Sequence, residues 1–468
     1  MKFKNNTVVK NISYSFLANI VSMGISAFMI MLLPKFMGVA DYGIWQLYLF
    51  YISYLGVFHF GWLDGIYLRY GGYYLEQLDK RKFTSQFLAI SIFETMLSIV
   101  GGCLTYYYVE DEILRIVLLF SCMVLVPSTL FTFCSFILQI TNNIKQYAQL
   151  TLFQRISFLV LVLIYVLFDS SFYGLFWINV IITYTSMLYG VCLTKEIFVP
   201  RLENTNDILN ESYENVSVGS KLLIANLAGM LMLGIVRFGI SQEWDVITFG
   251  KISLTLSISN FFMVFINSLS VVFFPMLKRI DESRQKELYL KIRTVLMTGL
   301  FAGLLGYYPL YFVLSWWLPK YADSLVYMAM LFPICLYESK VVLLTNTYLK
   351  SLRQEVLMMR INFSTVLLSL VLTYVCAVVL HSLDLMVLSI LVLFVFRSFV
   401  AELALAKLLK LKLIRYVVQE LILTIVFILG NYFTSHVIIG ISVYSVSLIA
   451  YLYSNRDILS NISDLRRE

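Results

Sequence analysis

Apolar runs of about eighteen residues or more recur along the whole sequence, separated by short charged connections. A run of that length crosses the roughly 30 Å hydrocarbon core as a helix. Within lipid, only helices and closed barrels satisfy their own backbone hydrogen bonds. A barrel would alternate apolar and polar residues over segments of about ten. The runs here are continuous, so the expected fold class is an all-α polytopic membrane protein. Composition agrees. Only 13% of the residues are charged and 60% are hydrophobic, with mean hydropathy +0.82; a soluble domain carries about 25% charge.

The runs define fourteen helices, at 13–33, 42–62, 87–107, 116–138, 150–168, 173–193, 219–240, 249–275, 294–315, 324–349, 360–380, 386–406, 416–432 and 437–454. The last two divide a single apolar stretch, 421–453, too long for one crossing, with "NYFTSH" at 431–436 as the turn. Twelve crossings are the alternative. The basic N-terminal stretch precedes a run too long for a signal-peptide core, so the first span is expected to be uncleaved.

Orientation follows from the basic residues. With the N-terminus in the cytoplasm and the helices alternating, cytoplasmic segments and helix ends hold 27 of the 35 Lys and Arg. The outside holds Lys35, Arg115, Lys251 and Lys320, and the spans hold Arg155, Arg237, Lys340 and Arg397. A bias of that size places both termini inside. Trp45, Trp177, Trp244, Trp316 and Trp317 then fall at the outer boundary as interface anchors.

The same layout excludes several functions. The net charge of +7 sits in short loops, where a membrane protein needs it, so nucleic acid is not an expected partner. The six cysteines all lie in apolar runs and form no CxxC pair, so neither a metal site nor a disulfide framework is expected. "FGKIS" (249–253) lacks the first glycine of a phosphate loop, so no ATPase and no cofactor are expected. The short outer loops, with no clustered carboxylate pair, argue against an enzyme such as a polysaccharide polymerase or glycosyltransferase.

A shift of 207 residues aligns the chain with itself. Leu17-Ala18-Asn19 meets Ile224-Ala225-Asn226, Met23 meets Met230 and Gly43 meets Gly250. The shift spans six helices, an even number, so both copies cross in the same direction. The expected architecture is two six-helix lobes in a parallel pseudo-repeat, the pattern of some alternating-access transporters. The N-lobe is 1–193 and a cytoplasmic linker 194–218. The C-lobe is 219–406, and 407–468 carries helices 13 and 14 and a tail.

Charges at membrane depth cost about 2.5–3.5 kcal/mol each on insertion scales and mark function. Glu338 and Lys340 lie near the middle of helix 10, where Pro333 is expected to break the helix. They stand two residues apart, on opposite sides of a helix, so each needs a partner elsewhere. Arg397 is central in helix 12, Arg155 and Glu94 are deep in helices 5 and 3, and Arg237 is near the outer end of helix 7. Basic residues outnumber the clearly buried acids in the spans. That excess suggests a wet cationic cavity of Lys340, Arg397, Arg155 and Arg237 for an anionic head group, with Glu338 and Glu94 as coupling or ion-pair groups. The bland alternatives are a Glu338–Arg397 ion pair and snorkelling of Arg155 and Arg237. Asp64 and Arg69, in the first cytoplasmic loop, form either a gate that docks a head group or a capped helix end with a local ion pair.

Two stretches, "LPKFMGVADYGIWQLYLF" (33–50) and "FHFGWLDGIYLRYGG" (58–72), resemble bacterial polysaccharide biosynthesis membrane proteins. These are the O-antigen and capsule flippases (Wzx-like) of the multidrug/oligosaccharidyl-lipid/polysaccharide exporter superfamily. The resemblance covers about residues 5–90. It implies a secondary transporter that flips undecaprenyl-pyrophosphate-linked oligosaccharide across the bacterial inner membrane by alternating access, driven by H+ or Na+. Its partners would be the lipid-linked substrate, membrane lipids and other polysaccharide assembly proteins. A cation-coupled multidrug exporter of the same superfamily is the alternative.

Overall fold

The structure is a computed structural model and describes residues 5–259, 282–433 and 437–456. All regular structure among these residues is helical, and twelve helices are long and apolar enough to cross a membrane. The chain is a multi-pass membrane protein. The other two expected crossings take shorter forms. The first, 42–62, is a helix Val39–Ile52 (α2) that ends in a tight turn at Leu55–Val57. The second, 249–275, begins as Val246–Ser259 (α9), and its remainder lies outside the described residues.

The chain divides into two compact units, Met1–Leu227 and Ala228–Glu468. The first holds α1 (Asn5–Phe36), α2, α3 (Trp62–Tyr70), α4 (Lys80–Tyr108), α5 (Glu112–Ile140), α6 (Ile144–Val166), α7 (Phe172–Leu193) and the start of α8 (Thr205–Glu243). Local chemistry sets the helix starts. Asp79 caps α4 by accepting from the Arg81 and Lys82 amides, and Asp111 caps α5 from Leu114 N. The central helix is α5, packed by α2, α3, α4, α6 and α7. Its core contributes Leu130, Phe133, Ile137 and Leu138 against Leu63, Ile66, Phe83 and Leu150. Trp45 departs from the expected outer belt. It is 3% exposed and packs on Tyr48, Phe158 and Phe176, because burying its ring area outweighs anchoring at an interface.

The expected linker 194–218 is not a loose connection. From Thr205 onward it is the first part of the 39-residue α8, with Glu211 and Asn215 buried.

The second unit holds the rest of α8, α9, α10 (Glu282–Gly303), α11 (Tyr307–Trp317), a broken crossing, α16 (Glu355–Thr373), α17 (Leu383–Leu409), α18 (Ile414–Tyr432) and α19 (Val437–Ser454). The broken crossing comprises α12 (Ala322–Leu325), α13 (Met328–Leu331), α14 (Ile334–Ser339), a π-helical turn Lys340–Thr345 and α15 (Asn346–Ser351). The break expected at Pro333 is present, between α13 and α14. Its most apolar window is 89% buried, more than that of any other crossing among the described residues. Helices α18 and α19 pack into the second unit. α18 packs on α13 and α19 on α10, and the Tyr444 hydroxyl donates to Phe301 O at 2.7 Å. They belong to the second unit because their inward faces are polar and aromatic and match groups on those helices.

Candidate functional site

Four charged side chains converge inside the second unit, one each from α10, the broken crossing, α17 and α18. Lys340 Nζ bonds Glu402 Oε2 at 2.6 Å and Glu420 Oε2 at 2.8 Å. Arg293 Nε donates to Glu402, and its Nη2 forms an ion pair with Glu420 Oε1 at 2.8 Å without a hydrogen bond. Each cation therefore bridges both carboxylates, and all four side chains are at most 1% exposed. Aromatic groups enclose the ring. The Tyr289 hydroxyl donates to Glu402 at 3.3 Å, Arg293 lies 5.2 Å over the Tyr416 ring and Lys340 5.8 Å over Tyr337. Two positive and two negative charges balance, which is how buried ions avoid an uncompensated desolvation cost.

This geometry corrects the cationic cavity in three respects. Lys340 is consumed by two carboxylates and offers no ammonium to a substrate. Arg293, expected in a cytoplasmic connection, is fully buried. Glu402 and Glu420, both inside expected spans, 386–406 and 416–432, supply the negative half of the ring. With Glu338 they balance Arg293, Lys340 and Arg397, so the second unit has no excess of deep positive charge among these groups. An equal census of acids within the spans would have revealed them.

Arg397 lies in a second, more open pair. Its Nη1 reaches Glu338 Oε2 at 2.9 Å and Oε1 at 3.2 Å, and Nε donates to Asn362 Oδ1 at 3.1 Å. The side chains are 10% and 20% exposed. Lys340 and Glu338 point to different partners, as their spacing requires. Arg237 Nη2 donates to Ser253 Oγ at 3.1 Å and the guanidinium lies 5.2 Å over the Phe249 ring.

In the first unit, Arg155 is exposed on α6 and has no ion pair among the described residues. Glu94 is fully buried between α4 and α5. Thr129 Oγ1 donates to its Oε1 at 3.4 Å, and its Oε2 has no hydrogen-bond partner among the described residues. It is therefore a deep carboxyl with no facing cation among the described residues, the opposite of the second unit's compensated ring.

Arg69 belongs to a clasp between α3 and α8. Gly61 stands at φ +83°, a left-handed conformation that favours glycine. A Cβ on Gly65 would stand 1.9 Å from Asn215 O, and one on Gly219 would stand 1.9 Å from Gly61 O. The two helices touch backbone to backbone. Beside that contact Arg69 Nη1 donates to Glu211 Oε1 and Asn215 Oδ1, both at 2.6 Å, and Nη2 pairs with Glu214. Lys82 Nζ reaches Glu211 Oε2 at 3.0 Å and the Tyr70 hydroxyl donates to Glu211 at 2.7 Å. Burial, then the Glu211 carboxylate, push the Tyr70 hydroxyl above the ordinary phenol range, so it stays a donor. Arg69 is therefore spent on Glu211 and Glu214 rather than held open for a lipid head group. Asp64 does not pair with it. Half-buried in the first turn of α3, Asp64 is pushed above the ordinary carboxylate range by burial.

No protein-family model and no curated protein matches this chain. Solved structures do. Lipid II flippase MurJ in an inward closed conformation is 14% identical with TM-score 0.61, over 95% of this chain and 99% of that one. An inward-facing multidrug resistance MATE transporter is 10% identical with TM-score 0.60, over 84% of this chain and 99% of that one. The chain has the fold of the MOP-superfamily transporters.

Proposed function

We propose that the chain is a secondary transporter that flips a lipid-linked oligosaccharide, with a polyisoprenyl pyrophosphate carrier, from the inner to the outer leaflet of a bacterial cytoplasmic membrane. The observation that carries this reading is a slot of about 280 Å3 between α18 and α19. Its walls are Ile422, Leu423, Val426, Ala450 and Tyr451. At one end Gln419 and Arg415 both donate to Ser454 Oγ, at 2.9 and 3.2 Å. An apolar slot with a polar, basic end suits an isoprenoid chain entering beside a charged head group. The similarity to a lipid flippase extends over more of the chain than the similarity to a drug transporter, which supports the same reading.

Arg155, without an ion-pair partner, and Arg397, which would exchange Glu338 for phosphate, are the proposed head-group ligands; Arg237 is a third candidate. Lys340 has a structural part. Glu94 is the proposed coupling group, since a buried carboxyl without a facing cation can take up and release H+ or Na+. Arg69 would act only through the clasp, and Asp64 only by its place at the start of α3. The test is a deletion strain, in which undecaprenyl-linked repeat units should accumulate on the cytoplasmic leaflet. Normal surface polysaccharide in that strain would overturn the reading. A gain of drug resistance on overexpression, with polysaccharide unchanged, would favour a multidrug exporter instead.

A further inference from the structure

A second cavity of the same unit, of about 320 Å3, opens at the ends of α11 and α18. Tyr307, Tyr311, Tyr432, Phe433 and Asn431 contribute to its lining, with no Lys, Arg, Asp or Glu among the lining residues. The rings are set before any ligand arrives. Tyr307 and Tyr311 stack at 5.7 Å with an interplanar angle of 29°, and Tyr307 is braced from behind by Phe427 and Phe332. Tyr432 lies beside Tyr327, whose hydroxyl donates to Asp384 at 2.7 Å. Asn431 is held by its Nδ2, which donates to Phe427 O at 2.7 Å and Tyr308 Oη at 3.2 Å. Gly430 and Gly440 let α18 and α19 meet closely at this end; a Cβ on Gly440 would stand 2.6 Å from Gly430 O.

We infer that this cavity binds a neutral sugar unit. The C–H face of a pyranose packs on fixed aromatic rings, and its hydroxyls find phenol groups at the rim. A phosphate would need a cation, and none lines the cavity among the described residues. An acyl chain would leave the tyrosine hydroxyls unmatched. The volume holds one sugar rather than a whole repeat unit, so the site would select the glycan near one residue. The identity of that glycan rests on the flippase reading; the binding of sugar does not.

The experiment uses the full chain in lipid nanodiscs free of sugar-headed detergent. Saturation-transfer NMR is recorded with maltotriose and with chitotriose, and with glucose 1-phosphate against glucose. Transfer to ring-face protons of at least one trisaccharide is expected, with Tyr311→Ala and Tyr432→Ala each lowering it about fivefold. Unchanged thermal unfolding in those variants separates a lost contact from a lost fold. No transfer from either trisaccharide, native-level transfer in both variants, or a clear preference for the phosphorylated sugar would overturn the proposal. Because binding is read on purified protein, a chain that binds sugar yet does not flip lipid would sink the transport reading alone.

Discussion

Lys340 illustrates how a single residue's meaning depends on its neighbours. A lysine at mid-bilayer is costly in isolation, yet here two carboxylates and a guanidinium turn it into one corner of a neutral ring. Removing one partner from a buried ion pair costs about 3–5 kcal/mol, because the survivors are left uncompensated. Lys340→Ala should therefore lower the folded, monodisperse fraction in detergent rather than only slow export. The double change Lys340→Met with Glu420→Gln, which restores charge balance, should recover part of that loss. Equal stability of Lys340→Ala and the native chain would refute the structural role. Asp64 gives the pH prediction. Burial raises its proton affinity in the fold above that in the unfolded chain, so its contribution to stability is present at acid pH. That contribution is lost as pH rises through and beyond the ordinary aspartate range. Asp64→Asn should remove this slope and raise the unfolding temperature at neutral pH, as a pH series of thermal melts would register.

Between elements, the clasp of α3 on α8 explains the glycines of "FHFGWLDGIYLRYGG". The glycines at 61, 65 and 219 bring two backbones into contact, and that approach lets Arg69 reach Glu211 and Glu214. Gly65→Leu has nowhere to place its side chain except into the Asn215 backbone, so it should separate the helices. The loss should exceed the roughly 1–3 kcal/mol typical of overpacking, since backbone atoms rather than flexible side chains obstruct it. Proteolysis of the 194–205 segment should accelerate in that variant; an unchanged cleavage rate would argue that α3 and α8 are not clasped.

For the whole molecule, the testable matter is which charges transport uses. On the proposed flippase function, Arg155→Ala and Arg397→Ala should each reduce lipid-linked oligosaccharide export at least about tenfold, the cost of a charge-assisted hydrogen bond to phosphate. Arg155→Ala should remain folded, because Arg155 is unpaired among the described residues; Arg397→Ala strands Glu338, so its export is read per folded protein. Native export in both would remove the cationic head-group site. Glu94→Gln should retain the fold and abolish the dependence of export on the driving ion gradient, measured in proteoliposomes with and without that gradient. Export that still tracks the gradient would acquit Glu94.

The sequence alone determined the class, twelve of the fourteen expected crossings and the break at Pro333. Each follows from apolar run length or from proline chemistry, which act locally along the chain. It also placed Glu338, Lys340, Arg397, Glu94 and Arg155 at depth, because charge inside an apolar run needs no tertiary information to notice. Only the tertiary structure decided their partners. Arg293, Lys340, Glu402 and Glu420 are up to 127 positions apart, from residue 293 to residue 420, and no spacing rule links them. It likewise decided that the segment after Thr205 belongs to a helix clasped by α3, and that α18 and α19 are part of the second unit. Ion pairing and close helix contact depend on which faces meet in space, and a linear pattern fixes the faces without fixing what they meet.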